Sequence, residues 1–189
     1  MPLDAQVLEL LTRDRRDEAA TRVLEALGPE VLGYLRAVLR DAAEAGDAFS
    51  HFAESVWRGL PGFRGESSLR TWCYGIAWRC VMSSKRDPRA RLGERLGSTL
   101  ASQLAGRIFA TTAFERERQA SALDRLRARL DPEEQTLLTL RIDRQLSWTE
   151  VADVLAGVAA RPDEAALRKR FERLKYKLAT AARDEGLVP

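Results

Sequence analysis

The sequence predicts an all-α protein made of two small helical domains joined by a flexible linker. Apolar residues recur at intervals of three and four along most of the chain, and no convincing run alternates like a β-strand. The periodicity weakens only after residue 88, and 189 residues suit one or two domains. We place the first domain at residues 13–88, the linker at 89–114 and the second domain at 115–185.

Three helices are predicted in the first domain. The first follows a break at Gly28–Pro29, and the second ends at Leu60–Pro61–Gly62. The third covers residues 68–85 and ends near Asp87–Pro88, since a residue before proline disfavours helical geometry. Its core-facing stripe is predicted to comprise Leu69, Trp72, Ile76 and Cys80.

The opposite face of this third helix is predicted to be exposed, and it carries two aromatic side chains. Its members are Thr71, Tyr74, Trp78 and Met82, with Arg70 and Arg79 beside them. Aromatic rings edged by arginine suit the stacking of unpaired bases, although packing of Trp78 under the linker is the alternative. The two cysteines, Cys73 and Cys80, are interpreted as small apolar core residues rather than redox or metal groups.

The second domain has the pattern of a helix-turn-helix. Asp131–Pro132–Glu133–Glu134 predicts a helix start, with aspartate as N-cap and proline in the first position. A helix over residues 147–155 then stops at Gly157, and a long helix over 163–183 follows. The turn is longer than the usual three or four residues, and an unrelated helical hairpin is the alternative.

Charge and composition favour a polyanionic partner and argue against most enzymes. The net charge is only +3, but bases concentrate in residues 79–95 and 164–183, which indicates two contacts with nucleic acid or simply two solvated helix faces. One histidine, two cysteines and no phosphate-binding loop predict no metal, no cofactor and no catalytic site. The absence of a membrane-length apolar run and of a signal-peptide pattern predicts a cytoplasmic protein.

The segment Trp57–Ala77, which reads WRGLPGFRGESSLRTWCYGIA, resembles region 2 of the extracytoplasmic-function sigma factors of bacterial RNA polymerase. The residues DPEEQ from Asp131, SWTEVADVLAG from Ser147 and LRKRFERLK from Leu167 resemble region 4 of the same family. The resemblance covers most of the chain. It implies a sigma-70-type specificity subunit in transcription initiation, and not an enzyme.

The resemblance also implies partners and site residues. Region 2 would bind the clamp coiled coil of the largest polymerase subunit and capture the melted −10 strand, and region 4 would read the −35 major groove and touch the flap. An anti-sigma factor is a further expected partner. The residues expected at −10 are Phe63, Arg64, Ser67, Arg70, Thr71, Tyr74, Trp78 and Arg79. Those expected at −35 are Arg168, Lys169, Arg170, Arg173, Lys175 and Lys177, and those expected at the polymerase are Asp47, Ser50, His51, Glu54 and Trp57.

The chain departs from the family pattern at three places. The polymerase-binding helix of the family usually reads Asp-x-x-Gln-Glu-x-Phe, whereas here Ser50, His51 and Ala53 hold the last three defined positions. Arg79 stands where the family commonly has asparagine, and the turn over 157–163 is long. Two other functions therefore stay open: an autonomous helix-turn-helix regulator, and a sigma-like interaction protein without initiation activity.

Overall fold

The computed structural model describes residues 1–86, 103–108, 126–157 and 160–184. Every regular element in these ranges is helical, which confirms the predicted all-α class. Most of the predicted linker lies outside the described residues. Within it the structure describes a short helical segment at 103–108, whose Leu104 is buried.

Seven longer helices form the described fold. They are α1 (Leu3–Thr12), α2 (Arg16–Leu39), α3 (Ala42–Gly59), α4 (Leu69–Arg86), α5 (Pro132–Leu138), α6 (Trp148–Leu155) and α7 (Glu164–Asp184). A 3-10 turn, Leu60–Gly62, follows α3, and a π-helical turn, Thr139–Asp143, follows α5. We call α1–α4 the first half and α5–α7 the second half.

The predicted break at Gly28–Pro29 is wrong, because α2 runs through it without interruption. Gly28 lies in the core, where an added Cβ would sit 3.3 Å from the Phe49 ring and 2.8 Å from the Ile108 side chain. Pro29 is exposed. The carbonyl of Glu25, which a proline at this position leaves without its helical donor, therefore belongs to an exposed residue and can bind water instead.

The core of the first half lies among α2, α3 and α4. Buried leucines, valines and phenylalanines at three- and four-residue intervals line it, including Leu35 on α2, Phe52 on α3 and Leu69 on α4. The helix α1 was not predicted. It packs against α2 and buries Val7 completely.

The second half confirms the predicted helix starts. Asp131 caps α5 by accepting a hydrogen bond from the Glu134 amide at 2.8 Å, and the Glu134 carboxylate returns one to the Asp131 amide at 2.9 Å. Ser147 and Glu150 form the same reciprocal capping box at α6. The rings of Trp148 on α6 and Phe171 on α7 meet edge-to-face at 5.6 Å and hold the two helices together.

We expect Asp131→Ala to lower the free energy of unfolding by about 1 kcal/mol, the usual value of a lost N-cap. The substitution removes the acceptor for the Glu134 amide. Urea denaturation followed by circular dichroism would measure the change, with the exposed Glu172→Ala as the matched control on α7. Equal unfolding energies for Asp131→Ala and the wild type would contradict the role of the cap.

Candidate nucleic-acid interface

The loop between the 3-10 turn and α4 forms a concave surface with a small cavity. The Phe63 ring packs on the Trp72 ring with centroids 5.4 Å apart, while Arg64 and Glu66 are exposed. Gly65 adopts a φ of +73°, which glycine allows without strain. The cavity here measures about 330 Å³ and is lined by Gly62, Phe63, Arg64, Glu66, Ser67 and Trp72. Three expected −10 residues, Phe63, Arg64 and Ser67, are thus brought together.

The predicted exposure of the other α4 face is wrong. Thr71, Tyr74 and Trp78 are exposed by only 2%, 0% and 4%. The helix α4 packs against α6 of the second half, and Tyr74 also meets the Tyr34 ring of α2 edge-to-face at 5.4 Å. The stripe predicted to face the core is divided: Leu69 and Ile76 are buried, whereas Trp72 and Cys80 are only half-buried. A helix that is apolar nearly all round is covered on more than one side, and the sequence pattern of α4 fits that case.

The contact between α4 and α6 is close because glycines lie on both sides of it. An added Cβ at Gly157 would lie 3.4 Å from the Gly75 carbonyl oxygen and 3.3 Å from the Arg79 side chain. An added Cβ at Gly75 would lie 4.0 Å from the Val154 carbonyl oxygen. The backbones of the two halves therefore approach each other directly beside Tyr74.

Apolar side chains of both halves belong to one continuous core, and polar side chains add further contacts between the halves. The Tyr34 hydroxyl hydrogen-bonds the Thr136 hydroxyl at 3.0 Å, and the guanidinium of Arg40 donates to the Leu130 carbonyl oxygen. Glu30 accepts an ion pair from Arg70 of its own half at 3.2 Å and one from Arg144 of the other half at 3.6 Å. The junction is therefore both apolar and polar, and its separation would expose core side chains of both halves to water.

Glu150 joins the starts of α4 and α6. The Thr71 hydroxyl donates to the Glu150 carboxylate at 3.2 Å, and the Ser68 hydroxyl lies 2.9 Å from that of Thr71. Burial acts to raise the pKa of Glu150, but hydrogen bonds from Ser147 and Thr71 and the charge of Arg70 hold it below its usual value. The carboxylate is therefore ionised at neutral pH and can only accept. Sequence reasoning missed this role, although the Ser147-x-x-Glu150 capping box marked the residue.

The predicted −35 bases on α7 fall into two groups. Arg170 and Lys177 turn back to α5, where they pair with Glu133 and with Glu134, the latter at 2.6 Å. Lys169 and Arg173 are exposed and form no ion pair with any residue in the described ranges. They lie one helical turn apart, on the side of α7 opposite the buried Leu167 and Leu174.

Arg168 and Lys175 occupy the other flank of α7, across the exposed pair from Arg170 and Lys177. Arg168 pairs with Glu164 at 3.1 Å and lies over the Trp148 ring, and Lys175 pairs with Glu172 at 2.8 Å. Near the start of α7, Arg161 pairs with Asp153 of α6 at 2.7 Å.

The predicted polymerase-binding residues occupy α3, and two of them line a half-open groove between α3 and α4. Asp47 and His51 lie on this groove, which measures about 640 Å³. The apolar side chains of Trp72 and Ile76 line it too. Ser50 is exposed on the same helix.

The other two polymerase-binding candidates have structural partners. Glu54 is half-buried and pairs with Arg58 at 2.5 Å. Trp57 faces the start of α2: its Nε1 donates to Asp17 at 2.8 Å, and the Arg16 guanidinium lies 3.8 Å from the ring centroid. Trp57 therefore holds α3 on α2 and lies away from the groove.

Cys73 is a core residue, whereas Cys80 is half-buried and lines the groove between α3 and α4. Cys73 is buried, and burial raises the pKa of the Cys73 thiol; it also raises that of Cys80, to about 12. Both thiols are therefore protonated at neutral pH, which makes them poor nucleophiles. In the part of the chain that the structure describes, no three metal-ligating side chains come together, and no helix is long and apolar enough to cross a membrane.

The sequence of this chain matches a protein family and is similar to a known protein. Residues 23–91 match the family Sigma-70 region 2. The chain is also 30% identical over 164 residues to the RNA polymerase sigma factor YlaC of Bacillus subtilis (strain 168), an alignment that covers 84% of this chain and 91% of that protein.

Proposed function

This chain belongs to the extracytoplasmic-function sigma factors of the sigma-70 family, and we propose that it directs RNA polymerase to promoters as a specificity subunit and not as an enzyme. One observation supports the proposal: each half has a surface suited to nucleic acid, the loop cavity beside Phe63 in the first half and the exposed bases of α7 in the second. The apolar core runs through both halves, so binding to polymerase and promoter would have to drive their separation. We assign residues 13–88 to region 2, 89–114 to the linker and 115–185 to region 4. The chain would act in the cytoplasm, where promoter DNA and polymerase are.

Region 2 would capture the melted −10 strand in two places. The cavity around Phe63, Arg64 and Ser67 is accessible in the described arrangement and offers an aromatic wall and a cation to an unpaired base. Tyr74 and Trp78 are buried in the described arrangement, in which α4 packs against α6 and Tyr74 also lies against Tyr34 of α2. Separation of α6 from α4 would be needed to uncover this face of α4. The aromatic surface that this separation exposes would then be covered by stacked bases.

Region 4 would place α7 in the −35 major groove. Lys169 and Arg173 are the bases best placed for this contact, because they are exposed and free of ion pairs within the described residues. Arg168 and Lys175 would contact the flanking phosphates. They would give up their exposed ion pairs with Glu164 and Glu172, each of which contributes little free energy. Arg170 and Lys177 would instead fix α7 on α5.

The groove between α3 and α4 would receive polymerase. Its mixture of Trp72 and Ile76 with charges of both signs, Asp47, Arg58 and Arg79, suits a partner helix that carries both apolar and charged residues. His51 lies in the middle of this surface, where the family usually has a carboxylate. We also expect an anti-sigma factor, which would act by blocking this groove or by keeping the halves together.

Purified chain, bacterial core polymerase and a pool of promoter fragments test the proposal in one experiment. We expect the chain to co-purify with core polymerase and to produce specific run-off transcripts. Binding without transcripts from any fragment would favour the interaction protein without initiation activity. A stable dimer that binds duplex DNA without polymerase would favour the autonomous regulator.

A further inference from the structure

The helix α1 lies entirely before the segment that matches Sigma-70 region 2, yet it is built into the first half. Val7 is fully buried, and the Arg22 side chain of α2 donates to the Gln6 side chain at 3.1 Å. One end of α1 reaches the start of α4. The helix is therefore a fixed support beside the loop that precedes α4.

Asp4 caps α4 from a distance of 65 residues in the sequence. The Leu69 amide, in the first turn of α4, donates to the Asp4 carboxylate at 3.2 Å, while the Ser68 hydroxyl accepts from the Thr71 amide at 3.1 Å. First-turn amides have no partner within their own helix, so each needs an outside acceptor. A carboxylate at this end of the helix is also favoured by the helix dipole.

A second α1 residue supports the middle of the loop. An added Cβ at Gly65 would lie 3.4 Å from the Leu8 side chain, so Leu8 lies directly beside the left-handed bend. The loop is thus held at three points: Phe63 against Trp72, Gly65 beside Leu8, and the Leu69 amide on Asp4. The exposed Arg64 projects between these fixed points.

We propose that α1 positions the −10 recognition loop and that Asp4 is its positioning residue. The inference rests on the proposed function, because the loop is the part of region 2 that would hold an unpaired base. A loop that is ordered before binding loses little conformational entropy when it captures the strand. Its contacts then discriminate between correct and incorrect bases with their full difference in binding free energy. Asp4 itself does not touch the DNA.

The full chain with core polymerase tests this through base discrimination. Open-complex formation is compared on the preferred promoter and on promoters with single −10 or −35 substitutions. We expect Asp4→Ala to reduce −10 discrimination about fivefold, in line with the loss of one helix cap, and to leave −35 discrimination unchanged. Asp4→Asn keeps an acceptor oxygen and should restore most of the effect. Glu9→Ala, on the same helix, is the matched control.

Hydrogen exchange gives an independent readout. We expect the Leu69 amide to exchange faster in Asp4→Ala than in the wild type or in Glu9→Ala. Unchanged −10 discrimination, or equal losses at −10 and −35, would overturn the inference. If Asp4→Ala does not fold, Leu8→Ala replaces it, with the same expected loss at −10 alone. Absence of polymerase-dependent transcripts from the wild type would overturn the proposed function itself. Failure of the proposed function is thereby distinguished from failure of the inference about Asp4.

Discussion

A disulfide between positions 75 and 157 is expected to abolish promoter opening, and its reduction is expected to restore it. Gly75→Cys and Gly157→Cys would join α4 to α6 at the point where an added Cβ at 157 lies 3.4 Å from the Gly75 carbonyl oxygen. The bond would keep α6 packed on α4, the helix that carries the buried Tyr74 and Trp78. Because apparent affinity falls with the fraction of binding-competent molecules, we expect at least about a 100-fold loss of open complexes, measured by run-off transcription.

The native cysteines and the two single variants supply the controls. The half-buried Cys80 is replaced by serine in all variants, whereas Cys73 is buried and its thiol is protonated. Gly75→Cys alone should respond little to oxidant. Full transcription from the cross-linked chain would show that the α4 face beneath α6 takes no part in opening. Failure of the pair to cross-link would contradict the close approach of the halves.

The second large effect is expected on α7. Replacing Lys169 and Arg173 together by alanine should weaken binding to the −35 element on the order of 30-fold or more, because each would contribute a base or phosphate contact. The dependence of binding on salt should also become shallower if phosphates are contacted. Competition binding of the polymerase complex to promoter DNA at several salt concentrations would measure both quantities.

The matched control is a double alanine variant at Arg170 and Lys177. These two residues carry the same charge on the same helix but pair with Glu133 and Glu134. We expect their loss to change −35 affinity by less than about threefold, since exposed ion pairs contribute little. A larger loss in this variant than in the Lys169 and Arg173 variant would reverse our assignment of the two groups.

Local signals in the sequence predicted most of the helices. Asp131 and Ser147 are N-caps, and the apolar intervals predicted the course of α3, α4, α6 and α7. The error at Gly28–Pro29 has a tertiary cause, because Gly28 is packed beneath other side chains and the exposed Pro29 leaves only a solvated carbonyl unpaired. The helix α1 was missed, although Leu3, Val7 and Leu11 already had helical spacing.

The position of the candidate site was harder to predict than its composition. The residues around Phe63 and Arg64 do form a concave surface, but Tyr74 and Trp78 are covered. Periodicity shows which residues share a face of a helix and does not show how many faces are covered. The α4–α6 contact depends on Gly75 and Gly157, which are 82 positions apart, and no local pattern relates such distant residues.

The distance along the chain between the two halves also has a consequence during synthesis. Thr71 and Glu150, which meet at the junction, are 79 residues apart, and Tyr34 and Thr136 are 102 apart. At about 5–20 residues per second, a ribosome needs about 4–16 s to proceed from Thr71 to Glu150. The aromatic face of α4 is therefore newly made and uncovered for seconds in every nascent chain. We expect this interval to be the time at which the protein is most prone to aggregate or to be captured by polymerase.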